Sequence, residues 1–339
     1  MLMIRLLGQH RRKRRSSVKA MIDRDTIVAV TSRSFSRHPV LRSELLDRYP
    51  NVRFNDEGRS LEGRELIDFA RGATKLITAL ETIDEMFLKA LPEVKVISKY
   101  GVGTDMLDKS AIARHGVRLG WTGGLNRRSV SELVIALAIS LLRHIKASNS
   151  DISAGEWRNR MGRCISGKTV GVIGCGHIGK DLSILLRAFD CNVLANDILD
   201  FPEFYAEYSV EPTGLDELLT RADIVTLHLP LDNSTRGILS SEKLALMKAG
   251  ALLINTARGG LVDESAVKEM LIDGRLAGAA FDVFATEPPK DLELLRLPNF
   301  VATPHIGGSS EEAILAMGRA AIDGLDDNAV PAADDRPGS

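Results

Sequence analysis

The chain has 339 residues, of which 44% are hydrophobic and 5% aromatic, and its formal net charge is −1. Because one core rarely serves so long a chain, and because small aliphatic residues dominate, the composition predicts an α/β protein of two domains and argues against β-sandwiches and disulfide scaffolds. Three unevenly spaced cysteines without a CxxC pair predict neither a disulfide framework nor a metal site, and they indicate a reducing compartment, the cytoplasm.

The beginning of the chain is strongly basic. Residues 1–20 contain Lys and Arg but no acidic residue, and the run 11–15 is entirely basic. Such a run is compatible with nucleic-acid binding or targeting, but solvated tails are the commoner case, so residues 1–23 are predicted to be a disordered extension and no nucleic-acid partner is expected. No apolar stretch is long enough to span a membrane, so no membrane association is expected either.

The next hundred or so residues alternate short β-branched runs with helical patterns, which is typical of βαβ units. The predicted strands are Thr26–Thr31, Lys75–Ala79, Val94–Ser98 and Val117–Gly120, and the predicted helices are Val40–Arg48 and Ile83–Ala90. These elements predict a smaller α/β domain over residues 24–122.

A long apolar helix follows this first domain. Ser129 and Glu132 have the spacing of a capping box, and residues 133–145 contain neither Gly nor Pro. A helix this apolar needs burial on several sides, which an interface between domains, a second subunit or an ordinary core would each provide.

Six further buried strands, separated by helices, predict a doubly wound parallel sheet of the Rossmann type over residues 123–303. These strands are Thr169–Ile173, Asn192–Asn196, Asp223–Leu229, Ala251–Asn255, Gly278–Val283 and Phe300–Thr303. A final helix, from Ser309 to about Gly324, is expected to return to the first domain, which would therefore comprise residues 24–122 and 304–325. Residues 326–339, rich in Asp, Ala, Pro and Gly, are predicted to be a disordered tail.

A GxGxxG sequence lies between the first of these strands and a predicted helix that runs through Phe189. Gly174 permits the tight turn, Gly176 lets backbone amides approach a pyrophosphate, and Gly179 allows the helix to pack closely on the strand. The positive end of the helix dipole would attract the phosphates. His177 is interpreted as a spacer within this loop. The pattern predicts a dinucleotide site.

Asp197 ends the following strand, where a carboxylate can accept hydrogen bonds from the adenine-ribose hydroxyls. Its charge would repel a 2′-phosphate, and no Arg stands directly after it. NAD is therefore the predicted cofactor rather than NADP.

Three residues that follow late strands suit hydride transfer to or from a 2-hydroxy acid. That chemistry needs a cation that binds the carboxylate, a residue that donates and accepts the proton, and a group that adjusts the basicity of that residue. Arg258 precedes two glycines, Glu287 precedes two prolines, and His305 lies in a short turn. All three are predicted at the carboxyl edge of the sheet, where ligands of such folds bind.

With these residues the chain resembles the D-isomer-specific 2-hydroxyacid dehydrogenase family, which includes phosphoglycerate dehydrogenases and glyoxylate/hydroxypyruvate reductases. The likeness runs from about Lys75 to Met317. It also includes the runs Tyr100–Asp105, Asn126–Glu132, His228–Leu231 and Asn255–Glu264. It implies a Rossmann domain with a smaller flavodoxin-like substrate domain, NAD as cofactor, a small 2-hydroxy or 2-oxo acid as substrate, and a homodimer formed through residues 126–145.

The resemblance also implies roles for single residues. Arg258 would bind the substrate carboxylate and the C2 oxygen, His305 would exchange the hydroxyl proton, and Glu287 would hydrogen-bond His305 and favour its protonated form. Asp282 would meet the nicotinamide amide. The implied substrate contacts are Tyr100, Gly101, Val102, Gly103, Arg258 and His305. The implied cofactor contacts are Gly174, Gly176, His177, Ile178, Gly179, Asp197, His228, Pro230, Thr235, Thr256, Ala257, Arg258, Asp282, His305 and Gly307.

Several positions depart from the family pattern. Met106 stands where Asn is common, Gly123 where Pro is usual, and the residues 78–80 lack the Arg-Ser expected of phosphoglycerate-specific relatives. The last of these departures favours a general 2-hydroxyacid dehydrogenase over phosphoglycerate dehydrogenase proper, which stays a second hypothesis. The sequence is also compatible with an NAD-sensing interaction protein without catalysis, and with oxidation of formate, phosphite or a phosphonate analogue on the same scaffold.

Overall fold

The computed structural model describes residues 26–332, so the predicted basic extension lies outside the described residues. A first group of elements precedes residue 121. Its strands are β1 (Val28–Val30), β2 (Val52–Phe54), β3 (Lys75–Thr78), β4 (Val96–Lys99) and β5 (Arg118–Gly120). Its helices are α1 (Arg33–Arg37), α2 (Pro39–Leu46), α3 (Gly63–Ala70), α4 (Glu85–Ala90) and α5 (Lys109–Arg114). The five strands form one parallel sheet in the order β2-β1-β3-β4-β5, as in flavodoxin-like folds.

The second group of elements forms a larger parallel sheet. Its strands are β6 (Thr169–Ile173), β7 (Asn192–Asn196), β8 (Val210–Pro212), β9 (Ile224–Leu227), β10 (Ala251–Asn255), β11 (Leu276–Phe281) and β12 (Phe300–Ala302). Its helices are α6 (Arg127–Leu142), α7 (Ile145–Ser153), α8 (His177–Arg187), α9 (Pro202–Tyr208), α10 (Leu215–Arg221), α11 (Ser241–Leu244), α12 (Glu264–Ile272) and α13 (Leu292–Arg296). The strand order β12-β11-β10-β9-β6-β7-β8 reverses direction at β6, which is the switch point of a Rossmann sheet. The predicted fold class is confirmed.

Side-chain caps begin many of these helices where the sequence supplies Ser or Asp. Asp84, Asp108 and Asp263 each accept a hydrogen bond from an amide of the first turn that follows, and Ser310 does the same for α14 (Glu311–Gly324). The central strands between the helices are apolar on both faces, and every residue of β10 is buried. Capped helices over buried parallel strands give each sheet a hydrophobic layer on both sides.

The long helix α6 does not begin as the sequence predicts. It starts at Arg127 after Asn126, and no side chain caps it. Ser129, the predicted capping residue, instead donates its hydroxyl to the carbonyl of Gly307 at 2.7 Å. The capping-box prediction is therefore wrong, because a contact with a distant loop takes the hydroxyl. The buried side of α6 packs against α8, β10 and β11.

Helix α14 leaves the second sheet and packs against α2, β4 and β5 of the first. Ser98 of β4 donates to the carbonyl of Ala321 at 2.6 Å, and Ile322 belongs to the same apolar cluster as Leu41 of α2. The limits predicted for the two domains stay predictions. Helix α14 nevertheless packs on the first sheet, where the last helix is expected from the sequence.

The stretch that follows α14 is attached to the first sheet. Asp326 forms ion pairs with Arg48 and Lys75 at 2.7 and 2.9 Å, and Ala329 pairs with Leu119 in an antiparallel bridge. The predicted disorder from residue 326 onward is therefore wrong for residues 326–332. Within 26–332, no helix is long and apolar enough to cross a membrane, and no group of His, Cys, Asp and Glu has the arrangement of a metal site.

Candidate active site

Three loops meet at the carboxyl edge of β10, β11 and β12, which are neighbours in the sheet. Asn255 lies opposite Phe281, and Phe281 lies opposite Ala302, so the three strands end at one level. The loops after β10 and β11 touch directly: a Cβ on Gly259 would lie 2.0 Å from the backbone of Phe284. Arg258, Glu287 and His305 are therefore carried by loops that start side by side.

Glu287 and His305 form a hydrogen-bonded pair. The Nδ1 atom of His305 lies 3.0 Å from Oε2 of Glu287, while Oε1 of Glu287 accepts from the amide of Phe284 at 3.1 Å. Both side chains are partly exposed. The carboxylate thus orients the imidazole and leaves Nε2 to face a ligand, which is the arrangement a proton-transferring histidine needs.

His305 is held in a left-handed backbone conformation, with φ at 54°. This is costly for a residue other than Gly, so the surrounding structure must impose it. The buried carboxylate of Asp282 does so: it accepts from the amides of Ile306 and Gly307 at 2.8 and 2.7 Å and from the hydroxyl of Thr303 at 2.5 Å. Asp282 therefore builds the turn that carries His305, a role that its sequence position does not reveal.

Arg258 reaches from the second sheet to the loop after β4. Its Nε and Nη2 atoms donate to one oxygen of Asp105, at 3.0 and 2.8 Å, and Nη1 donates to the carbonyl of Ala257. A Cβ on Gly103 would lie 2.2 Å from Nη2, so only glycine lets the guanidinium pack this closely on the loop. The two sheets meet at this ion pair.

The loop after β4 is braced by two further side chains. The indole of Trp121 donates to the carbonyl of Val102 at 3.0 Å, and Lys99, which is 4% exposed, donates to the carbonyl of Tyr100 at 3.0 Å. Burial, with a smaller effect from the charge of nearby Arg258, lowers the pKa of Lys99 to about 8. The ring of Tyr100 packs edge-on against Phe35 in the core. Its predicted substrate contact is therefore limited to its backbone.

The glycine loop has the form of a phosphate cradle. Gly174 has φ of 95°, and a Cβ on Gly179 would lie 2.1 Å from the carbonyl of Gly174, so α8 packs tightly on the loop. A Cβ on Gly176, in contrast, would meet nothing within 4 Å, and no side chain caps the amides that open α8 at His177. Open space beside uncapped amides suits a pyrophosphate. The side chain of Ile178 packs on the core instead.

Asp197 faces the glycine loop. One carboxylate oxygen accepts from the amide of Cys175 at 2.6 Å and the other from the amide of Leu199 at 2.8 Å. Each oxygen keeps a lone pair for a further donor, so Asp197 can accept from ribose hydroxyls while its position is fixed by the backbone.

Two buried polar side-chain atoms in the segments after β9 and β10 have no hydrogen-bond partner. Among residues 26–332, Nδ1 of His228 and Oγ1 of Thr256 are such atoms. Burial lowers the pKa of His228 to about 3, so this imidazole stays neutral. Thr235, also after β9, donates to the carbonyl of Pro230 at 2.7 Å. Orphaned atoms and an open phosphate cradle at the switch point are the features that a bound dinucleotide would satisfy.

A sequence profile described as D-isomer specific 2-hydroxyacid dehydrogenase, NAD binding domain, matches residues 135–307. A D-3-phosphoglycerate dehydrogenase from Methanocaldococcus jannaschii is 38% identical over 76% of this chain and 50% of its own length. A hydroxypyruvate reductase from Thermotoga maritima is 37% identical over 73% of this chain and 79% of its own. The chain spans about half the length of the phosphoglycerate dehydrogenases that it matches.

The solved structure of a glyoxylate reductase from Paecilomyes thermophila superposes with a TM-score of 0.79 at 26% sequence identity. The match covers 88% of this chain and 94% of that one. The agreement therefore includes both sheets and not the glycine loop alone.

Proposed function

Because the chain belongs to the D-isomer specific 2-hydroxyacid dehydrogenase family, we propose that it is an NAD-dependent oxidoreductase that transfers a hydride between the nicotinamide and C2 of a small 2-hydroxy or 2-oxo acid. The main support is the pair of His305 and Glu287, placed beside the loop of Arg258 at the edge where the glycine loop also lies. A proton-transferring group, a carboxylate-binding cation and a dinucleotide cradle are the parts that this reaction needs.

When bound, NAD supplies the nicotinamide carbon that accepts or donates the hydride. The chain supplies the rest. His305 takes the hydroxyl proton during oxidation and returns it to the C2 oxygen during reduction, while Glu287 stabilises the protonated imidazole. Arg258 holds the carboxylate and polarises the C2 oxygen, with the amides of Val102 and Gly103 on the other side. The neutral His228 takes no part in proton transfer and serves the cofactor groove.

The substrate side favours a small acid without a charged group beyond C2, such as glyoxylate or hydroxypyruvate. The loop after β3 presents Leu80, which is 73% exposed, where phosphoglycerate-specific relatives are expected to present Arg. The cations near the site already have acidic neighbours, since Arg258 is paired with Asp105 and Lys99 lies near Glu81. No free cation in the described part of this loop is left for a phosphate. Phosphoglycerate dehydrogenase proper is the second candidate, favoured by the relatives that carry this name.

The test is NADH consumption with glyoxylate, hydroxypyruvate, pyruvate and 3-phosphohydroxypyruvate, for the wild type and for His305→Ala. The variant should lose about 10²–10⁴-fold in kcat, because a general acid contributes that much, and should bind NADH as the wild type does. His115→Ala is the control, since His115 pairs with Glu85 on the first sheet. A wild type that binds NADH but reduces no 2-oxo acid would favour the NAD-sensing interaction protein. Turnover only with the phosphorylated acid would favour phosphoglycerate dehydrogenase.

We further propose that the protein is a homodimer whose contact extends beyond the expected residues 126–145 into α7 and the segment that follows it. Trp157 and Met161 are 91% and 93% exposed, and Ile145 and Ile152 of α7 are also exposed. Large exposed apolar side chains that lie this close together in the sequence are typical of a protein interface. The cytoplasmic location inferred from the cysteines, all three of which are free, stays a prediction.

A further inference from the structure

The guanidinium of Arg258 has five N–H groups, and the structure accounts for three of them. Nε and one Nη2 hydrogen are donated to Asp105, and one Nη1 hydrogen is donated to Ala257. Nε and Nη2 form the side-on fork of an arginine, so Asp105 occupies that fork. The two remaining hydrogens, one on Nη1 and one on Nη2, have no acceptor among the described residues. Nη1 and Nη2 form the end-on fork of the guanidinium, so one hydrogen on each of them is left for the oxygens of a substrate.

The end-on fork of Arg258 lies next to the backbone of Gly103. The carbonyl of Val102 is turned toward the indole of Trp121. Because a trans peptide places its C=O and N–H on opposite sides, the amide of Gly103 points away from Trp121. Gly103 itself lies against Nη2 of Arg258. A carboxylate bound here would therefore meet the guanidinium and the Gly103 amide together.

Asp105 also separates two cations. Lys99, the last residue of β4, is buried, and burial lowers its pKa; the charge of Arg258 lowers this pKa as well, whereas that of Asp105 raises it. Without Asp105, Arg258 would lose its ion-pair partner, and the repulsion between Arg258 and Lys99 would be less balanced. Glu81, the other acidic group near Lys99, is already bound to Thr78 and the Ala79 amide.

We propose that Asp105 is a positioning residue for substrate recognition: it crosses from the first sheet to hold the side-on fork of Arg258, so that the end-on fork faces the substrate carboxylate. The assignment rests on the proposed function, since it concerns the acid that Arg258 would bind. Asp105 does not touch the reacting atoms, and it sets the geometry and the charge of the group that does.

The test compares Asp105→Ala and Asp105→Asn with the wild type, using the 2-oxo acid that the wild type reduces best. Asp105→Ala should raise KM for that acid about tenfold or more, because the carboxylate loses its cation, and should lower kcat by a smaller factor, because Arg258 also polarises the C2 oxygen. The inhibition constant of oxamate, a carboxylate that does not react, should rise in parallel. Asp105→Asn keeps an acceptor but loses the charge. Its KM and its inhibition constant for oxamate should therefore lie between those of the wild type and of Asp105→Ala. The Kd for NADH should stay unchanged.

Asp108→Asn is the matched control. Asp108 lies three residues further on the same loop, and its carboxylate caps α5 through the amide of Ala111 at 2.8 Å, a role that Asn performs equally well. This variant should behave as the wild type in every measurement.

Three results would overturn the assignment. An unchanged KM and an unchanged oxamate inhibition constant in Asp105→Ala would show that Arg258 binds the carboxylate without Asp105. A lower KM would show that Asp105 competes with the substrate. A loss of NADH affinity together with a lower Tm would show a merely structural contact. With an active wild type, each result rejects the role of Asp105 alone. An inactive wild type that binds NADH rejects the proposed function and this inference together.

Discussion

His228 and His305 lie at the same edge of the second sheet, yet their surroundings differ in kind. His305 is partly exposed and hydrogen-bonded to the carboxylate of Glu287, whereas burial lowers the pKa of His228 to about 3. Both follow strands with similar apolar patterns, so the local sequence does not separate them. Only the resemblance to the family distinguishes His305 from His228, because the burial and the charge of each imidazole depend on the side chains that pack around it.

Lys99 leads to a prediction about stability and pH. Burial lowers its pKa from 10.5 to about 8 in the folded protein. Between these values the unfolded chain binds more protons than the folded one, so the contribution of Lys99 to stability increases as pH rises. The free energy of unfolding of the wild type, relative to Lys99→Met, should increase by about 2 kcal/mol from pH 8 to pH 10. Urea titrations at several pH values measure this difference.

A constant difference between wild type and Lys99→Met across that range would contradict the prediction, because it would mean that the lysine titrates as it does in water. Lys95→Met is the control. The ammonium of Lys95 is bound to the carbonyl of Pro92 on the exposed surface of the same strand region, so its replacement should leave the pH dependence of stability unchanged.

Among the helices and strands, the buried ones are predicted most accurately from the sequence. The strands β6, β7 and β10 have the predicted limits because each is an apolar run between turn residues. The sequence pattern predicts neither β2 nor β8, since each has three residues and lies at a sheet edge, where polar residues and Pro212 are tolerated. These misses do not affect the site, because its loops follow β10, β11 and β12, all of which the sequence pattern predicts.

The glycine loop and α8 give a prediction that separates packing from ligand binding. Gly176→Ala adds a methyl group that meets no protein atom within 4 Å, so Tm should stay within about 2 °C of the wild type. The methyl group would occupy the space assigned to the pyrophosphate, and the Kd for NADH should rise about tenfold or more. Fluorescence titration with NADH measures this.

Gly179→Ala is the contrasting variant. Its methyl group would lie 2.1 Å from the carbonyl of Gly174, so α8 must shift and both Tm and NADH affinity should fall. Equal behaviour of the two variants would show that the open space at Gly176 is not where the phosphates bind.

For the molecule as a whole, contacts between distant segments are the hardest to predict. Arg258 and Asp105 are separated by 153 residues, and nothing in either local pattern indicates the pair. The hydroxyl of Ser129 is taken by Gly307 for the same reason. Residue types at the site can be predicted from strand ends, whereas their partners depend on how the two sheets come together.

The exposed apolar segment after α7 leads to a prediction about assembly. The double variant Trp157→Glu, Met161→Glu should reduce the mass measured by light scattering from twice 36.9 kDa to 36.9 kDa, because charges in an apolar interface are costly. Met86→Glu, at an exposed Met of the first sheet's helix α4, should remain dimeric. A wild type that is monomeric at micromolar concentration would reject the dimer, and a dimeric double variant would place the contact elsewhere.

The return of α14 to the first sheet has a consequence for biosynthesis. Leu41 and Val28 share their apolar cluster with Ala321, Ile322 and Leu325. The ribosome must therefore synthesise the entire second sheet before α14, which carries the packing partners of these early residues, is made. The strands of the second sheet, in contrast, are all synthesised in one continuous segment. During translation the nucleotide-binding half can mature first, and the amino-terminal half waits with part of its apolar surface open to chaperones.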